Sequence, residues 1–109
     1  ARIDALVSQR IDLYERVAPV MRAALIRAPF QTVIAKALRR RREFLRDQVH
    51  QQFATELSGL PAAEAAVVLA GADVLTSFES MELLRVDHKL TTAKAAAAIK
   101  GSLDRLLPG

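Results

Sequence analysis

From Ile3 to Ala28 apolar residues return at alternating steps of three and four: Ile3, Val7, Ile11, Tyr14, Val17/Ala18, Met21, Leu25 and Ala28. Only a helix brings positions so spaced onto one face. Leu6, Leu13, Val20 and Ala24 widen the stripe, so the chain opens with a long amphipathic helix that other elements must cover. Pro19 lies inside it and removes the hydrogen bond to the Glu15 carbonyl, which predicts a bend. Pro29 disfavours helical backbone at Ala28, where the helix is expected to end.

The rest of the chain repeats this logic. Between Phe30 and Leu57 one stripe runs through Val33, Ile34, Ala37 and Leu38 and a second through Leu45, Val49, Phe53 and Leu57. Arg39, Arg40, Arg41 and Arg42 separate them. Four consecutive residues cover more than one helical turn, so an unbroken helix turns at least one arginine inward unless it snorkels. The expectation is a short helix, a break near the arginines, and a longer helix closed by Ser58 and Gly59 before Pro61 starts the next. From Ala62 to Val86 apolar side chains occupy nearly every direction, which predicts a helix packed on its own core on one side and on a partner on the other. Asp73, Ser77 and Ser80 form its one polar stripe, suited to ligand or cross-dimer hydrogen bonds or to water. After His88 and Lys89, Thr91 caps a last helix with Thr92, Ala95, Ala96, Ile99, Leu103 and Leu106 on one face. Ala93, Ala97 and Gly101 form a second strip that permits close approach of another helix.

The fold class is therefore all-α: an antiparallel bundle of about five helices in one domain over residues 1–109, with the helix from Ala62 to Val86 the best candidate for a dimer interface. Val68, Leu69, Ala72, Leu75, Ala96, Ile99, Leu103 and Leu106 are the candidate interface residues. Cysteine is absent, so thiolate chemistry and disulfides are excluded. No apolar run approaches the roughly 20 residues of a membrane span, and no secretory signal is visible, which makes cytoplasmic residence without membrane attachment the expectation. The net charge of +4 comes from arginines scattered along helices and does not mark a DNA reader. His50 and His88 stand too far from other donors for a metal site, although His50 has Glu43, Asp47 and Glu56 on neighbouring turns. Phosphate loops, nucleophile elbows and paired carboxylates are not found, so neither enzyme activity nor a cofactor is expected.

Four stretches carry a resemblance: RIDLYERVAPVMRAAL with its internal Pro19, RRREFLRDQVHQQFATEL, VLTSFESMELLR, and the Thr-capped TTAKAAAAIKGSLDRLL. In this order and spacing the chain resembles the C-terminal domain of TetR-family transcriptional regulators over essentially its whole length. The resemblance implies that the first three helical segments wrap a pocket for a small, largely apolar effector and that the last two long helices pair in a homodimer. It also implies operator binding through an N-terminal helix-turn-helix domain absent from this chain, released when effector shifts the dimer away from the geometry of the half-sites.

Tyr14, Val17, Met21, Phe44, Phe53, Phe78 and Met81 are the candidate pocket residues, with the Tyr14 hydroxyl placed to orient a polar group. Each is also a side chain that an ordinary core buries. The arginines from Arg39 to Arg42, with Arg46, either bind an anion or form a solvated face with Glu43 and Asp47. Two other functions compete. The opening RIDALVSQRIDLYERV and the clustered arginines resemble the all-helical chorismate-mutase type of enzyme, but no lysine precedes Lys36 where that pattern places one. A stand-alone helical interaction module would show an open apolar groove in place of a closed pocket.

Overall fold

The computed structural model describes residues 2–108. Six α-helices account for most of them: α1 (Arg2–Arg27), α2 (Thr32–Gln52), α3 (Ala54–Ser58), α4 (Ala62–Leu75), α5 (Phe78–Glu82) and α6 (Thr92–Leu106). A 3₁₀ turn at Ala28–Phe30 joins α1 to α2, and a π-helical turn at Leu83–Asp87 follows α5. No strand occurs among the described residues. None of the helices described is long and apolar enough to cross a membrane.

α1 runs unbroken through Pro19 and turns Leu6, Val7, Ile11 and Tyr14 into the core. α6 packs along it and contributes Ala95, Ile99 and Leu103, all buried, while Thr91 caps that helix by accepting a hydrogen bond from the Lys94 amide at 3.2 Å. α2 and α4 complete the bundle around Val49, Phe53, Leu57 and Ala72. At the edge, Arg22 and Glu82 form a two-pronged ion pair at 2.9 and 2.7 Å that ties α1 to α5. The hydrogen bond from Arg22 holds the Glu82 carboxyl below its ordinary range, so what this pair contributes is present at neutral pH and is lost as acid protonates Glu82.

Two expectations about helix boundaries are corrected. α2 does not break at its arginines: it runs from Thr32 to Gln52, and the interruption falls at Phe53, where φ is −112° and ψ is 23°. An unbroken helix forces one arginine inward. The buried or half-buried positions follow the helical period through Leu38, Arg41, Leu45 and Val49, with Arg39, Arg40 and Arg42 left exposed.

The segment Ala62–Val86 is not one helix either. α4 ends at Leu75, and Ser77 starts α5 as its N-cap, accepting a hydrogen bond from the Ser80 amide at 3.1 Å. Apolar periodicity continues across this joint, which hid the cap. The serines of the expected polar stripe are engaged here: the Ser77 and Ser80 hydroxyls both donate to the Val74 carbonyl. Asp73 pairs with Arg46 at 3.3 Å. Ser77→Ala should therefore lower stability by about 1 kcal/mol through loss of the cap, measured as a shift in denaturant midpoint at constant slope. An unchanged midpoint would mean that the joint does not depend on its cap.

Candidate functional site

The joint between α4 and α5 leaves the Thr76 carbonyl outside any helical ladder, and α1 supplies its donors. The Tyr14 hydroxyl donates to it at 2.8 Å and Arg10 Nη1 at 3.2 Å. Burial pushes the Tyr14 hydroxyl above its ordinary range, and the charge and hydrogen bond of Arg10 oppose that shift without reversing it. Tyr14 therefore stays protonated and remains a donor. Its ring meets Phe78 edge to face, with centroids 5.6 Å apart.

Arg10 is the residue that the apolar pattern does not account for. It sits on the inward stripe of α1 between Val7 and Tyr14 and is only 3% exposed. Nη2 donates to the Leu45 carbonyl at 2.7 Å and to Gln48 Oε1 at 3.4 Å, while Nη1 also reaches the Tyr14 and Thr76 hydroxyl oxygens at 3.4 Å. Every one of these partners is neutral, and Nε has no partner. A guanidinium out of water and without a carboxylate is expensive, because dipoles offset its desolvation only in part.

Above this group lies a cleft of about 310 Å³, near the small end of the range for small-molecule sites. α1 lends Arg10, Tyr14 and Met21; α2 lends Leu38, Arg41, Arg42, Leu45 and Arg46; the joint region lends Asp73, Val74, Ser77, Phe78 and Glu79. The wall is mainly apolar, and apart from Arg10 the charges gather on α2 and the joint. Arg42 pairs with Glu79 and Arg46 with Asp73, whereas among the described residues Arg41 has no carboxylate partner and its Nε is buried without a hydrogen bond.

Of the seven residues expected in a pocket, Tyr14, Met21 and Phe78 meet at this cleft. Met81 and Pro19 instead line an open groove on the other side of α1, which Tyr14 and Phe78 also border. Val17 is half-buried against the core and lines neither. Phe53 belongs to the core at 1% exposure, and Phe44 lies outside at 65%, so neither lines the cleft. The Tyr14 hydroxyl is committed to Thr76, leaving its ring as the part that shapes the cleft. Periodicity missed Arg10 because it scores apolar residues, and it marked Arg41 only as one of the run Arg39 to Arg42. Their signal is a charge at a position where the stripe requires none.

The expected interface residues also divide. Ala72, Ile99 and Leu103 are buried in the chain's own core and leave almost no surface for a partner. Val68, Leu69, Leu75, Ala96 and Leu106 are half-buried. Outward from them, α4 exposes Ala63, Val67, Ala70 and Val74 at steps of four, three and four, beside shallow apolar surface formed with Arg105 and Leu106. His50 and His88 are both exposed, and no group of three potential ligands for a metal ion forms among the described residues.

No family model, curated protein or solved structure matches the chain at a significant level. The geometry itself must therefore carry a functional reading, and Arg10 offers the first handle. In Arg10→Met the Thr76 carbonyl keeps Tyr14 and the Leu45 carbonyl keeps its place in α2, so of the Arg10 acceptors the half-buried Gln48 Oε1 loses most. Removing an unpaired buried charge in favour of an apolar side chain should stabilise the chain by about 1–2 kcal/mol. Denaturant unfolding measures it. A loss of similar size would make Arg10 a structural clasp.

Proposed function

We propose that this chain is the effector-sensing and dimerisation domain of a TetR-type transcriptional regulator. The observation that carries the reading is the position of the cleft. Its inner wall is the joint where α4 ends, and α4 is the helix that also exposes an apolar face to the outside. A molecule seated against Val74, Ser77 and Phe78 bears directly on the element that would meet a second subunit. Occupancy then favours one pairing geometry over another, provided the occupant binds the two with different affinity.

The face itself suits a two-fold partner. Apart from Glu64 and Asp73, α4 carries no charge, and the surface it shares with the end of α6 holds Glu64 and Arg105, one of each sign. A two-fold contact can place each opposite the other. Operator DNA would be reached through a helix-turn-helix domain outside these 109 residues, and a cytoplasmic setting follows from that role.

Sedimentation tests the pairing. The chain should run as a dimer at micromolar concentration, and Val67→Glu should make it a monomer that unfolds within about 0.5 kcal/mol of the natural chain once dilution has dissociated the latter, because Val67 is 70% exposed in the single chain. A natural chain that is monomeric throughout would contradict the reading. The buried Arg10 beside Arg41 also favours one further reading, a helical enzyme acting on a dianion. Turnover of chorismate by the chain would replace the proposal.

A further inference from the structure

An effector that is simply apolar leaves the cleft's two unneutralised charges unused. Arg10 and Arg41 each occupy an inward helical position, Arg10 between Val7 and Tyr14 on α1 and Arg41 between Leu38 and Leu45 on α2. Two helices thus bring a cation to the same cleft at points where their own packing calls for an apolar residue. Neither meets a carboxylate among the described residues, although their neighbours Arg42 and Arg46 both do. Both carry an Nε withdrawn from water and unpartnered, and Arg10 as a whole is 97% buried, at 3% exposure. The cleft therefore has four arginines against two carboxylates, an excess of positive charge set in a mainly apolar wall.

We propose that the cleft's occupant is a small apolar carboxylate, with its hydrocarbon part against Leu38, Leu45, Val74 and Phe78 and its carboxylate beside Arg10 and Arg41. The proposal rests on reading the cleft as the effector site and adds the chemical class of the effector. A carboxylate is held beside a guanidinium more strongly than a neutral oxygen, and the unpartnered Nε of each arginine is the donor left for it. Bare inorganic anions would satisfy the charge and leave the apolar wall wet. Neutral hydrocarbons would fill the wall and leave Arg10 uncompensated. Only a molecule with both parts answers both.

Calorimetric titration of the whole chain with decanoate, decan-1-ol and inorganic phosphate tests this, in the natural sequence and in Arg41→Gln and Arg10→Met. Decanoate should bind at least tenfold more tightly than the alcohol, about what one charge-assisted contact supplies, and phosphate should show no saturable binding at millimolar concentration. Arg41→Gln should bring the ratio of acid to alcohol affinity close to one, with its melting temperature unchanged, which separates lost recognition from lost folding. Arg10→Met should lose the same preference. Equal binding of acid and alcohol by the natural chain would overturn the carboxylate and leave an apolar effector site. Absence of binding by either would overturn the effector site as well. Persistence of the preference in both variants, or displacement of decanoate by millimolar phosphate, would place the charge recognition elsewhere and overturn the assignment.

Discussion

Phe53→Ala should lower the unfolding free energy by about 4 kcal/mol, within the usual range for truncating a fully buried aromatic. Phe53 is 1% exposed at the turn between α2 and α3, and it packs in the cluster that holds Val7, Val49, Leu57 and Leu103. Small domains have total stabilities of only about 5–15 kcal/mol, so this loss takes a large share. At roughly 4 °C per kcal/mol the melting temperature should fall by about 15 °C. Phe44→Ala is the control: at 65% exposure it should stay within about 0.5 kcal/mol of the natural chain. Thermal unfolding followed by circular dichroism checks both. If Phe44 proved the costlier of the two, the face that α2 presents to the core would be wrong.

Leu103→Ala should cost about 3 kcal/mol, and by an amount that does not change with protein concentration. Leu103 is fully buried by α6 packing on α1 and α4 within one chain, so its truncation leaves a cavity in the monomer. Had it faced a partner, as its place on the apolar stripe of α6 suggested, the loss would depend on concentration, since association stabilises only the folded dimer. Melting curves over a hundredfold range of concentration distinguish these cases. The same curves for Val67→Glu should converge on those of the natural chain as dilution dissociates the dimer.

How far the sequence speaks can be judged from particular residues. The step of three and four from Ile3 onward places α1 with its correct buried face, and Thr91 marks the start of α6, because caps and periodicity are local properties. Phe44 and Phe53 show where locality ends. Leu38, Leu45 and Val49 share one side of α2, Phe53 follows at its C-terminal end, and Phe44, one residue before Leu45, is turned about 100° from that side. In an unbroken α2 the inward face follows from the helical period, whereas a break at the arginines would leave the two stripes free to face different ways. The arginine run raised a real conflict between helix and burial, and tertiary structure resolves it by giving Arg41 a cleft to line.

The division of Ala62–Val86 had a local signal in Ser77, three residues before the Ser80 amide that it caps, but the apolar pattern on both sides concealed it. Consequences of that break are not local at all. It frees the Thr76 carbonyl, draws in Tyr14 and Arg10 from the first helix, and opens the cleft beside them. Which half of α4 and α6 faces outward is likewise set by packing: Ala72, Ile99 and Leu103 fit the same stripes as their half-buried neighbours and differ only in what covers them.

Sensing requires that the cleft and the outward face of α4 be coupled through the joint at Thr76 and Ser77, and amide hydrogen exchange measures that coupling most directly. With saturating decanoate, amides from Ala72 to Ser80 should exchange at least tenfold more slowly, and protection on the α4 segment bearing Ala63 to Val74 should change with them. Unchanged exchange across the joint at millimolar decanoate would contradict an effector-sensing role for the cleft.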